Sequence, residues 1–211
     1  CLGEGYVTDG FVTTEPSDLN VAISHVGVMY FRVKVFGKTA HAARTQDGVN
    51  AISKMYKVFH ALEKLEEKRA KEVQFELYSK RTGGQAVNLN LGTLEAGDWV
   101  SSVAGEAVLQ CRIGFIPGET RADIKALVEK TVADAIKDDA WLLEHPPEIE
   151  WFGWSTEAWY QDPNDPYVQS FMETYEHVIG KKPEIIGTTG GLDSRFTAYY
   201  GKPSLSFGVS G

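Results

Sequence analysis

Along residues 26–36, VGVMYFRVKVF, apolar and polar side chains alternate: Met29, Phe31, Val33 and Val35 share one face, and Tyr30, Arg32 and Lys34 the other. A period of two marks a half-buried strand. The next stripe has a different period. Val49, Ile52, Met55, Phe59, Leu62 and Leu65 recur at helical spacing, predicting a helix that Asp47 caps and that the charged run Glu66, Glu67, Lys68, Arg69 ends as a solvated last turn. Three more strands are predicted in EVQFELYS, AVNLNLGTL and EAVLQCRIGF, the last two parted by the turn-rich EAGDWVSSVAG. In PGETRADIKALVEKTVADAIK, Thr120 and Asp123 have capping-box spacing, and Ile124, Leu127, Val128, Thr131 and Ala135 form the stripe of a second helix. Pro146 and Pro147 break the chain before a closing strand in EIEWFGW.

Strand, helix, strands, helix, strand is the order of a ferredoxin-like α+β sandwich, with both helices on one face of an antiparallel sheet. This unit is placed at about residues 26–152, with flanking segments 1–25 and 153–211 of different character. The first flank holds the short strand GFVTT. In the second, Asp165 caps a helix that starts at Pro166, carries Val168, Phe171, Met172, Tyr175 and Val178, and stops at Gly180. Residues 185–211 then read as loop, short helix, loop and strand. If the flanks meet, the sandwich is an insertion in a second, α/β domain.

Charge and composition narrow the class. Lys and Arg number 21 against 29 Asp and Glu, so the formal charge of −8 repels phosphate backbones and anionic membranes. No apolar run approaches the roughly 18 residues that span a bilayer, which leaves a cytoplasmic address as the default expectation. Cys111 falls on the apolar side of an alternating run and reads as a core residue, so no disulfide framework is expected. The chain opens on Cys1 in mid-motif, as a piece of something longer would.

Four places offer chemistry. Glu15 ends the GFVTT strand beside Pro16, and a carboxylate fixed on a restrained turn suits a metal ligand, although loop glutamates are commonly just solvated. His41 lies among Ala40, Ala42 and Ala43, which leave space around the ring, so it is either an accessible donor to a substrate oxygen or a solvated loop residue. Arg112 sits on a strand opposite the core-facing Leu109, Cys111 and Ile113, able to grip a carboxylate or to form a surface ion pair. Gly190 and Gly191 precede a short helix capped by Asp193, a turn whose amides can approach an anion closely.

Taken in order, GYVTDGFVTTEPSDL, GKTAHAARTQDGVNAI, GDWVSSVAGEAVLQCRIGFIPGET and TTGGLDSRFTAYYGKPSLSFG resemble the zinc amidohydrolases and peptidases that include acetylornithine deacetylase, succinyl-diaminopimelate desuccinylase, aminoacylase and carboxypeptidase G. The resemblance implies a two-zinc α/β catalytic domain interrupted by a ferredoxin-like lid that makes a homodimer. It implies that Glu15 binds zinc, with cobalt or manganese as substitutes, and that His41 crosses to the neighbouring active site to polarise the scissile carbonyl. Arg112 would hold the substrate carboxylate, and Gly190 and Gly191 would line its pocket. The expected substrate is an N-acyl amino acid or short peptide. The family's other metal ligands have no counterpart in these 211 residues, so the chain alone is expected to be inactive. Ser101, Ser102 and Ala104 depart from the residues that relatives often carry there. The competing reading is a non-catalytic dimerisation or small-ligand module.

Overall fold

The structure, a computed structural model, describes residues 2–5, 8–79, 83 and 85–209. Cys1, and Tyr6 and Val7 of the first motif, lie outside the described residues. Two sheets organise the rest. The larger element set begins with β3 (Gly27–Phe36), which pairs antiparallel with β5 (Glu106–Phe115) on one side and β6 (Glu148–Thr156) on the other. Strand β4 (Leu89–Ala96) pairs with the far edge of β5, giving the order β4-β5-β3-β6. Helices α1 (Ala51–Glu72) and α3 (Arg121–Ala135) cover one face of this sheet, the ferredoxin-like arrangement that the element order predicts.

The alternation along β3 is what drives this packing. Phe31, Val33 and Val35 are fully buried against Met55, Val58 and Leu62 of α1 and Ile124 and Val128 of α3, while Arg32 and Lys34 face outward to Glu150. Burying side chains of this size contributes about 1.5–3 kcal/mol each. The capping box is present as read: Thr120 Oγ1 accepts from the Asp123 amide, and the Asp123 carboxylate accepts from the Thr120 amide.

The second sheet has the order β1-β9-β2-β7, with β8 also paired to β2. It comprises β1 (Phe11–Thr13), β2 (Val21–His25), β7 (Trp159–Tyr160), β8 (Ile185–Thr188) and β9 (Ser204–Ser206). Strands β1 and β9 are parallel, as are β2 and β8. Helix α5 (Pro166–Ile179) packs Val168 and Met172 onto Val21, Ile23 and Leu205, and ends at Gly180 in the left-handed conformation. Strands β2 and β3 form one extended run that changes sheets at Val26.

Several local readings need correction. Helix α1 is capped by Asn50, whose Oδ1 accepts from the Ile52 amide, because Gly48 is extended and Asp47 instead pairs with Arg44 at 2.6 Å. EVQFELYS is not a strand: its end is the short helix α2 (Glu76–Ser79), which packs buried Tyr78 with Val26, Val28 and Ala86. Ile185–Thr188, read as loop, is strand β8, and the short helix α4 (Ala140–Glu144) was unforeseen. Val178 is exposed and Val132 replaces Thr131 and Ala135 in the buried stripe of α3.

Arg69 is the other exception. It belongs to the charged run read as a solvated helix end, yet it is buried, and its two guanidinium nitrogens reach Glu119 at 2.8 and 2.9 Å. Glu119 in turn accepts from the Ile116 amide, so the pair closes the end of α1 over the turn between β5 and α3. Removing one partner of such a pair leaves the other incompletely compensated. We expect Arg69→Ala to cost about 3 kcal/mol in urea unfolding, while Lys68→Ala, one residue away and exposed, shifts stability by less than about 0.5 kcal/mol.

Candidate functional site

Glu15 follows β1 on a turn that is pinned from beneath. Ser17 Oγ donates to Asn20 O at 2.7 Å and accepts from the Gly208 amide at 3.0 Å, and Gly208 O accepts from the Leu19 amide. A Cβ on Gly208 would stand 2.5 Å from Glu15 O, so only glycine permits this approach. The Glu15 side chain is half-buried and has no hydrogen-bond or ion-pair partner among the described residues. It is a free carboxylate on a rigid support.

A buried chain of hydroxyls links this turn to the glycine loop. Thr13 Oγ1 and Ser206 Oγ are 2.6 Å apart, Ser206 Oγ donates to Ser194 Oγ at 3.0 Å, and Ser204 Oγ donates to Ser194 O. Thr197 Oγ1 also contacts Ser204 Oγ at 2.6 Å. These small side chains let α6 (Arg195–Ala198) lie close on the sheet. Its preceding residue is Ser194, which makes no side-chain cap, so the expected cap at Asp193 is not formed.

Loop residues 189–194 meet the outer face of the first sheet at Arg112. Arg112 Nη1 donates to Asn88 Oδ1 at 2.7 Å and Nη2 donates to Thr189 O at 3.3 Å. No carboxylate pairs with it among the described residues, so three of its five N–H donors remain for an incoming anion. Gly190 has open space around its missing Cβ, whereas a Cβ on Gly191 would meet the Trp154 ring at 2.7 Å. Arg195 braces the loop from behind, donating to Leu192 O at 2.6 Å and lying over the rings of Trp154 and Phe196.

His25, at the end of β2, backs the same corner. The ring is fully buried, its Nδ1 donates to Val26 O at 2.8 Å, and Nε2 has no hydrogen-bond partner among the described residues. Burial drives the imidazole from 6.5 down to about 4, opposed by the Val26 hydrogen bond and assisted by the charge of Arg195. Its position at the end of the strand VAISH, whose first three residues are apolar, is the sequence signal for a buried imidazole.

His41 stands elsewhere. It is exposed, it precedes the 3₁₀ turn Ala42–Asp47, and its Nδ1 accepts from the Ala43 amide at 3.1 Å. In the neutral ring the proton therefore sits on Nε2, which is left as a donor. The loop 95–105 holds it in place: Ala42 N donates to Ser101 O, Val103 N to Ala40 O, and His41 bridges to Ser102. Arg112 pairs with Tyr30 near the start of β3, while the His41 loop leaves the other end after Phe36, which pairs with Glu106. Six strand residues are roughly 20 Å, so Arg112 and the start of the His41 loop lie at opposite ends of the same strand pair. Arg112 and the glycine loop are therefore together, Glu15 is tied to them through hydroxyls, and His41 is apart.

Among the described residues no three His, Cys, Asp or Glu side chains cluster closely enough to hold a metal ion. The residues present do not make up a zinc site. Among the described residues no helix is long and apolar enough to cross a membrane.

Comparison with known proteins decides the family. The family model described as the peptidase dimerisation domain matches residues 23–140, more than half of the chain. The chain belongs to this family. It is 27% identical over 179 residues to the N-formyl-4-amino-5-aminomethyl-2-methylpyrimidine deformylase of Halalkalibacterium halodurans, covering 80% of this chain and 40% of the relative. It is 28% identical over 215 residues to a succinyl-diaminopimelate desuccinylase of Bradyrhizobium, covering 98% of this chain and 51% of the relative. The fold matches that of a tripeptidase from Staphylococcus aureus with a TM-score of 0.74 at 21% identity, over 99% of this chain and 51% of the other. The chain thus spans about half the length of the relatives it matches, which are named as a deformylase, a desuccinylase and a tripeptidase.

The buried imidazole gives a pH test of this dimerisation-family fold. Below 6.5 an unfolded His25 takes a proton that the folded ring refuses until about 4, so stability falls as pH drops through this window and levels below it. The loss expected from this group is about 3 kcal/mol. In urea titrations, His25→Gln should remove that portion of the slope; equal slopes in both proteins would show that His25 is not held neutral.

Proposed function

We propose that these residues serve a metal-dependent hydrolase that cleaves the amide bond of N-acyl amino acids or short peptides. The observation that carries the reading is an arginine with no ion-pair partner among the described residues, Arg112, set against the Gly190–Gly191 loop, with an exposed imidazole, His41, at the opposite end of the same sheet. Amide hydrolysis develops negative charge on the carbonyl oxygen, and an N–H donor placed there lowers the barrier. The Arg112 fork suits the terminal carboxylate of such a substrate.

In this reading Arg112, Gly190 and Gly191 of one subunit orient the substrate, and His41 reaches the carbonyl from the second subunit of a homodimer. The separation of about 20 Å within one chain supports that division. Edge strand β4, exposed from Gly92 to Ala96, offers unpaired backbone for such a dimer. The sandwich at about residues 26–152 is then the lid, and residues 1–25 and 153–211 belong to the catalytic domain. Glu15 is proposed as one ligand to zinc, or to cobalt or manganese in its place. At least two further protein ligands must come from outside the described residues.

The absence of a ligand cluster among the described residues is also what a non-catalytic dimerisation or small-ligand module would have, and the experiment separates the two. The complete protein should release acyl groups from N-acyl amino acids, lose activity to a chelator and regain it with zinc; the 211 residues alone should be inactive. His41→Ala should lower kcat by about 10²–10³ with little change in KM, as removal of an oxyanion donor does. Arg112→Ala should act mainly on KM. No acyl release from the complete, metal-loaded protein would favour the binding module, and full turnover in His41→Ala would remove that residue from the mechanism.

A further inference from the structure

The His41 loop exposes more apolar surface than its own fold requires. Trp99 is 67% and Val100 86% exposed, on a segment that is otherwise tightly tied down. Ser102 N and Ser102 Oγ both donate to Trp99 O, at 3.1 and 3.3 Å, and the flanking bonds from Ala42 and Val103 fasten the loop to the His41 segment. Gly97, at φ +68, supplies the left-handed turn that starts it. The backbone of Trp99 therefore keeps a fixed place beside the His41 segment.

The two residues share a hollow of about 360 Å³, lined also by Thr39, Ala40, Ser101 and Ser102. Trp99 is the one large apolar side chain in that lining; the rest are small and leave room for a ligand group. A flat indole face beside a polarising donor is a surface on which another planar group can stack. The adjoining hollow shares Thr39 and carries Glu95, Asp98 and Glu106, whose charges oppose a second carboxylate.

We propose that Trp99 is a specificity-determining residue, its indole forming the wall against which a flat, uncharged acyl group packs while His41 holds the carbonyl. This deepens the hydrolase reading and rests on it. With the substrate carboxylate on Arg112 and the carbonyl oxygen at His41 Nε2, the atoms beyond the carbonyl are those of the acyl group, and they fall on the Trp99 side. The wall and the donor arrive together from the second subunit, because both belong to the same pinned loop pair. N-benzoyl and similar arylacyl amino acids fit this hollow, and N-succinyl derivatives are disfavoured by the neighbouring carboxylates.

The test uses the complete enzyme and the N-benzoyl, N-acetyl and N-succinyl derivatives of one amino acid, with sedimentation at assay concentration. Wild type should prefer the N-benzoyl substrate. Trp99→Ala should lower its kcat/KM about tenfold or more, leave the N-acetyl substrate within about twofold, and remain dimeric; Trp99→Phe should recover most of the loss. Equal losses on all three acyl groups, a loss that follows the amino-acid side chain, a wild-type preference for succinyl, or dissociation of the Trp99→Phe dimer would each overturn the inference alone. No hydrolysis of any N-acyl amino acid by wild type would overturn it together with the function on which it rests.

Discussion

One strand sets the distances on which everything else depends. Hydrogen bonds on both sides of β3 fix its register with β5 residue by residue, and alternate burial under α1 and α3 prevents slippage, since a one-residue shift would turn Phe31, Val33 and Val35 outward. That register puts Arg112 opposite Tyr30, next to the second sheet, and releases the chain toward His41 at the other end. The sandwich is thus a rigid spacer, with Arg112 and the start of the His41 loop set about 20 Å apart along one strand. The proposed division of roles between two chains rests on that spacing.

The second sheet handles a different problem, that of holding short loops still. It does so with small polar residues instead of large apolar ones: Thr13, Ser194, Ser204 and Ser206 bond to one another in the interior and leave no room for a helix to drift. Gly208 under Glu15 and Gly191 under Trp154 are close approaches of the same kind. Such a network is stabilising only while fully satisfied. Its ends are the two places where the sequence suggests chemistry, the turn of Glu15 and the loop of Gly190 and Gly191.

Features that depend on near neighbours in the chain were legible in the sequence. The period of β3, the Thr120–Asp123 capping box and the Pro166 to Gly180 helix all rest on residues a few positions apart. Readings failed where a distant partner decided. Arg69 looked solvated because its partner, Glu119, lies 50 residues away, and EVQFELYS looked extended because the packing of Phe75 and Tyr78 under the sheet crossing is a tertiary matter. Asp47 lost the cap to Asn50 through a local competition, its ion pair with Arg44. The candidate site residues stand out one at a time by type and setting, but their spacing along the sheet follows only from strand register, and the buried His25 and exposed Trp99 carry no role in that reading.

The proposed exchange of residues between two chains can be measured by mixing two impaired variants. Complete proteins carrying His41→Ala and Arg112→Ala are each prepared as dimers, then mixed, allowed to exchange subunits and assayed with substrate well below the wild-type KM, where both variants turn over slowly. A mixed dimer keeps one site with an intact Arg112 from one chain and an intact His41 from the other, so activity well above either parent is predicted. No gain over either parent once subunit exchange has been verified would mean that both groups work within one chain, and the account would fail.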